Sequence, residues 1–187
     1  MTAADSSVLI RHAEPSDVAE LAVLAALTFP LAAPPHVTEE SLATFIDQHL
    51  SADRLTDYLD DSERDLSVAV DPSGALIGYT LLVFEQPRDA DVAAVVTFSP
   101  AVELSKIYAH PDVHGSGVSH LLVQAAVAEA ERRGVEGIWL GVNQENTRAQ
   151  RFYEKSGFDR VGTKRFQVGA GLEHDFVYAR RISPPAP

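Results

Sequence analysis

Gly115 and Gly117 stand between an apolar, strand-like run (Val102 to Ala109) and a helix-like run that ends near Arg133. A strand that opens into a helix through glycines can hold a phosphate-bearing ligand on backbone N–H groups. Three readings of Gly115-Ser116-Gly117 compete. A nucleotide P-loop needs Gly-Lys followed by Ser or Thr, and no lysine follows here. A dinucleotide fingerprint needs a third glycine at position 120, which is His120. A plain strand-to-helix turn explains the glycines alone. Further along, Asn146 and Tyr153 are seven residues apart, two helical turns, so one helix face carries both an amide and a phenol. Glu103 lies in the strand-like run, where burial would raise a carboxyl toward the range of a working base. The seven histidines show no metal-ligand spacing, and His110, beside Pro111, reads as a turn residue.

The elements that must position these groups follow from periodicity. Val8 to Arg11 predicts a short strand after frayed residues 1–7, and Glu14-Pro15-Ser16-Asp17 opens a helix to about Leu27. Pro30, Pro34 and Pro35 are expected to turn the chain into a loop. Thr38-Glu39-Glu40-Ser41 starts a second helix with an N-cap and early acids, and Arg54 to Leu59 predicts a third. Leu66 to Val70 and Ala75 to Phe84 read as a hairpin around Asp71-Pro72-Ser73-Gly74. Glu85 to Pro100 reads as a polar loop. After the glycines comes a helix closed by Gly134, with Glu129 and Arg133 paired on its wet side. Ile138 to Val142 is unbroken and apolar, as a strand covered on both faces should be. A helix from Asn146 to Ser156 and a closing hairpin, Arg160 to Val168 with His174 to Arg181, complete one domain over 1–182, with a disordered tail at 183–187.

Composition limits what such a site can serve. The chain has 187 residues and no cysteine, which excludes disulfides, thiolate metal sites and a cysteine nucleophile. Its formal net charge of −12 argues against nucleic acid as a partner and mildly favours a cationic small molecule or basic peptide. No membrane-length apolar run or leader is apparent, so a cytoplasmic protein without a membrane partner is expected.

The segment Glu103-Leu104-Ser105-Lys106-Ile107-Tyr108-Ala109-His110-Pro111, continued through the glycine loop, resembles the acyl-CoA-binding core of the GNAT superfamily of N-acetyltransferases. The likeness runs on through Asn146-Thr147-Arg148-Ala149-Gln150-Arg151-Phe152-Tyr153-Glu154-Lys155-Ser156-Gly157-Phe158 and covers about half the chain at motif level. Trp139-Leu140-Gly141-Val142 and the layout of the first helices look most like bacterial polyamine (spermidine-type) acetyltransferases. The sequence departs from the family at two positions: His114 stands where Arg or Gln is usual, and Ser119 where Gly or Ala is. The resemblance implies an α/β (α+β) fold: a mixed, mostly antiparallel sheet of about six or seven strands flanked by about four helices, with a splayed parallel pair at its centre.

The same resemblance implies acetyl-CoA as the bound cofactor and an amine as acceptor. His114, Gly115, Ser116, Gly117, Val118 and Ser119 would hold the diphosphate, and Asn146, Tyr153 and Lys155 would be further cofactor-binding residues. Ile107, Tyr108 and Ala109 would meet the pantetheine amides, and the N–H of Ile107 or Tyr108 would polarise the thioester. Tyr153 is then the acid for the departing thiolate and Glu103 the base for the amine, by direct attack in a ternary complex. Asn146 reads equally as a helix N-cap, and Glu103 as a partner of Lys106 or an arginine. The acceptor, a small-molecule primary amine or a peptide, is expected near Phe29, Phe45 and Tyr79. A homodimer stays open. The rival reading is a non-catalytic acyl-CoA-binding or regulatory protein of the same fold, against which the presence of both Glu103 and Tyr153 speaks.

Overall fold

In the computed structural model, which describes residues 7–168 and 171–182, seven strands form one sheet. They are β1 (Leu9–His12), β2 (Arg64–Val70), β3 (Leu76–Val83), β4 (Ala101–Ala109), β5 (Gly137–Asn143), β6 (Asp159–Val168) and β7 (Gly171–Arg181), in the spatial order β1-β2-β3-β4-β5-β7-β6. All neighbours are antiparallel except β4 and β5. The helices are α1 (Val18–Ala32), α2 (Glu39–Leu50), α3 (Ala52–Asp60), α4 (Ala90–Ala93), α5 (Val118–Arg132) and α6 (Thr147–Lys155). The expected mixed α/β architecture is present, with more helices than the four anticipated. The tail at 183–187, residues 1–6 and the turn residues Gly169 and Ala170 lie outside the described residues.

Alternation of apolar side chains lets both faces of the sheet be covered. On one face Leu66, Val68 and Val70 of β2 and Tyr79, Leu81 and Val83 of β3 pack under α1, α2 and α3 through Leu21, Leu24, Leu50 and Leu55. On the other, Ile138, Leu140 and Val142 of β5 and Leu104 of β4 pack under α5, with Tyr153 of α6. A smaller cluster sets Trp139, Val177 and Ala179 against Val92, Val96 and Phe98 around α4.

Three expectations need correction. Pro30 does not end α1: it lacks the N–H that would meet the Ala26 carbonyl, and the helix nevertheless continues to Ala32. The stretch Glu85 to Pro100 is not all loop: Asp89 caps α4 by accepting N–H bonds from Asp91 and Val92, and Val92 is fully buried. Glu129 is not on the wet side, since its carboxylate is covered by Arg132 and Arg133, with Arg133 Nε at 2.9 Å. Pro15–Ala32 is long and apolar enough to cross a membrane by length and composition; here Leu21, Leu24, Ala25 and Thr28 give it a buried stripe against the sheet.

Candidate active site

β4 and β5 are parallel and pair only over Ala101–Glu103 and Gly137–Trp139. Beyond Glu103 the two strands separate, and the cause lies in β4. Leu82 faces Leu104 while Leu81 faces Lys106, so Ser105 is an extra residue, a bulge that bends the strand. The bulge also changes which face each side chain takes. Val102 and Leu104 point to the α5 face before it, and Ile107 does after it. Tyr108 packs with the α1 to α3 core, and the Lys106 ammonium lies 5.9 Å from the Tyr58 ring of α3.

Separation leaves part of β4 with one neighbour. The N–H of His110 donates to the carbonyl of Ile77 at 2.8 Å. By antiparallel alternation Tyr108 and Lys106 also turn their backbone groups to β3, while Ile107 and Ala109 turn theirs into the gap. Of the two strand N–H groups anticipated for polarising a carbonyl, that of Ile107 faces the gap and that of Tyr108 faces its sheet partner.

The gap opens into a cavity of about 290 Å³ that reaches both faces of the sheet. Tyr153, Asn146 and Ile107 line it together with Glu103, Lys106 and Tyr108. Phe29 and Phe45 close one wall, stacked with centroids 4.3 Å apart, and Tyr108 meets Phe29 edge-on at 6.3 Å. Tyr79, expected near an acceptor, is not in the wall: it is fully buried under Tyr108, 5.6 Å away, and backs the cavity without lining it.

Each polar group is tuned by its surroundings. Burial raises the Glu103 carboxyl, and Lys164, Lys106 and Arg64 hold that rise in check. Burial pushes the Lys106 ammonium down to about 8, against the pull of Glu103. Burial, with Tyr108 nearby, raises the Tyr153 phenol well above its ordinary value, and Tyr108 itself goes up to about 12. Tyr153 therefore keeps its proton at any working pH and remains a donor. It is fixed among Phe152, Phe158 and Tyr178, with centroids at 5.3, 5.9 and 6.4 Å. Asn146 is the N-cap of α6, its Oδ1 accepting from the Ala149 N–H at 3.0 Å, which leaves Nδ2 to meet a ligand.

The glycine loop lies at the outer end of β4. Gly115 and Gly117 have φ of 85° and 94°, which side-chain-bearing residues rarely adopt. Gly117 caps α5, so its own N–H and those of Val118 and Ser119 have no carbonyl within the helix to bond. Ser116 is turned otherwise: its N–H and Oγ both bond to the Val113 carbonyl, at 3.1 and 2.7 Å. The His114 ring packs back on the strand, with Nε2 3.3 Å from the Ala109 carbonyl. Lys155 lies outside the cavity, in a groove with His120, Gln124 and Arg180.

Lys106, Asn143, Lys164 and Asp175 also line the cavity, and sequence reasoning did not assign them to it. The bulge leaves a trace in the sequence: apolar residues fall at 102 and 104, then at 107 and 109, a change of phase that turns Lys106. Asp175 pairs in register with both Asn143 and Lys164, a juxtaposition set by strand order that no local pattern reveals.

A family model described as the acetyltransferase (GNAT) family matches residues 32–158. An uncharacterized N-acetyltransferase of Mycobacterium bovis is 42% identical over 167 residues, covering 89% of this chain and 99% of that protein. The [ribosomal protein bS18]-alanine N-acetyltransferase of Escherichia coli K12 is 28% identical over 111 residues, 57% of this chain and 75% of that one. Among solved structures, the PaiA N-acetyltransferase of Thermoplasma acidophilum in complex with coenzyme A superposes with a TM-score of 0.74 at 20% identity, covering 94% of this chain and 99% of that chain.

Proposed function

The chain belongs to the acetyltransferase (GNAT) family, and from that premise we propose that its single domain, residues 1–182, moves an acetyl group from acetyl-CoA to a primary amine of a small molecule or peptide. The reading is carried by one observation: the gap after Glu103, where Ile107 and Ala109 present backbone groups that no strand uses, with Tyr153 in the same cavity. An amide-bearing ligand fits that edge as a missing strand would. The N–H groups of Gly117, Val118 and Ser119, at the positive end of α5, suit its diphosphate.

In this scheme the acetyl thioester is the group that CoA supplies. The Ile107 N–H donates to its carbonyl oxygen, where negative charge develops. Glu103, ionised, takes the proton from the acceptor amine, and the neutral Tyr153 hydroxyl donates to the departing sulfur. The raised Glu103 pKa supports its role as base, because a base works best when its pKa lies near the operating pH.

The wall around the acceptor end supports an amine borne on an apolar body. Phe29, Pro34, Val37, Leu42 and Phe45 line it, and the carboxylates Glu103 and Asp175 are matched in number by Lys106 and Lys164. That balance weakens the case for a free polyamine, which the overall charge alone had favoured. A cysteine-free chain using acetyl-CoA is consistent with a cytoplasmic home.

Thiol release from acetyl-CoA, followed against a panel of aromatic amines, amino-acid amides, short peptides and spermidine, tests the proposal. Tyr153→Phe is expected to lower kcat by about 10² or more with little change in acetyl-CoA affinity. Tight acetyl-CoA binding with no turnover of any amine would favour the non-catalytic reading. Spermidine outpacing every apolar amine would overturn the account of the acceptor.

A further inference from the structure

The chain has three lysines, Lys106, Lys155 and Lys164. Lys155 stands outside the cavity; the other two line it. Lys106 is the one carried on β4 itself, next to Ile107. The bulge at Ser105 turns it onto the face where the acceptor is expected, with Nζ 3.5 Å from Ser105 Oγ and 5.9 Å from the centre of the Tyr58 ring. The charged and titratable groups around it come from four elements: Glu103 on β4, Arg64 on β2, His49 on α2 and Tyr58 on α3.

If the acyl-transfer reading holds, and this inference rests on it, the thioester carbonyl lies at the Ile107 N–H, one residue along the strand. Lys106 lines the same cavity, so a primary amine of the protein is then carried by the residue next to the one that would hold the thioester. We infer that Lys106 is a self-acetylation site, modified by the bound acetyl-CoA when no acceptor fills the cavity. The neutral Nζ attacks the thioester carbonyl carbon, the new C–N bond forms, and the C–S bond breaks. The nitrogen gives up one proton to Glu103, and the departing sulfur gains one by way of Tyr153. The sum is an amide on Lys106 and free CoA thiol, with no other reactant.

The surroundings favour the attacking form. Burial and the nearby Arg64 lower the ammonium to about 8 despite Glu103, so the neutral amine is far more abundant than on a surface lysine. Acetylation would leave Lys106 without its charge and extend it by an acetyl group into the acceptor end. An acceptor amine in the cavity competes with the reaction directly.

The test uses the full chain with acetyl-CoA and no added amine, then peptide mass spectrometry at all three lysines. Acetyl is expected on Lys106 ahead of Lys155 and Lys164. Its rate should rise about tenfold between about pH 7 and about pH 9 and level off, whereas a surface lysine would rise about a hundredfold without levelling. Tyr153→Phe should slow the mark at Lys106 and leave any mark at Lys155 unchanged, and Lys106→Arg should abolish it. Acetyl on Lys155 or Lys164 at an equal rate, or an unmarked Lys106 in a chain that acetylates an added amine, would overturn the inference and leave the transferase reading standing. Failure of the chain to bind acetyl-CoA by calorimetry would overturn both.

Discussion

Glu103 and Tyr153 are pushed the same way by burial, and the proposed scheme would use them in opposite protonation states. A phenol raised by burial keeps its proton, and gives it up less readily than a free phenol would. A carboxyl raised by burial must still lose its proton to work, so its charge is carried at a cost. The sign is definite: a carboxyl whose folded pKa exceeds its unfolded value stabilises the fold below the unfolded pKa, and that contribution is lost as pH rises through the folded one. Glu103→Gln is therefore expected to cut kcat/KM by about 10² to 10⁴ while leaving the melting temperature at neutral pH unchanged or higher. The wild-type pH profile should show an acid limb above the usual carboxylate range, and the variant should lack it. A melting temperature lowered by several degrees would mean that Glu103 is there for the fold. Tyr153 and Asn146 were legible as candidates because a phenol and an amide two helical turns apart share a face in any α-helix, and Glu103 because it is a carboxylate in an apolar, strand-like run. Lys164 and Asp175 stayed hidden, since what brings them to the cavity is the pairing of β5 with β7 and β7 with β6.

At the level of elements, the one-residue bulge in β4 connects sequence to site. It bends the strand away from β5, turns Lys106 and Tyr108 toward α1 to α3, and leaves the Ile107 and Ala109 edge open. Deleting Ser105 should restore regular pairing with β3, reverse the faces on one side of the deletion and narrow the gap. The expected result is a folded chain by circular dichroism whose affinity for acetyl-CoA falls by about tenfold or more, read by calorimetry. Unchanged affinity would show that the opening does not depend on the bulge. Helix starts were the most readable elements: Thr38 accepts from the Ser41 N–H and Asn146 from the Ala149 N–H, as N-cap side chains should. The proline of α1 and the single turn of α4 were misread for opposite reasons. Proline at position 30 costs α1 its bond to the Ala26 carbonyl without stopping it, and a four-residue helix is too short to show a period.

On the scale of the molecule, the sheet is two blocks, β1 to β4 and β5 to β7, joined along three register pairs of β4 and β5. The core under α1 to α3 belongs to the first block, the core under α5 spans both, and the proposed ligand would fill the opening between the blocks. Ligand that binds only the folded chain adds stability by mass action, so acetyl-CoA at a hundred times its dissociation constant should stabilise the protein by about 2.7 kcal/mol, visible as a raised melting temperature. Trp139, the only tryptophan, closes the last of those register pairs opposite Glu103, with the Lys164 ammonium 5.6 Å from its ring. Its indole N–H is buried without a hydrogen-bond partner among the described residues. The chain thus carries a built-in fluorophore at its seam, excitable without interference from any other indole, whose emission colour and brightness register a shift of the lysine or the arrival of a polar neighbour.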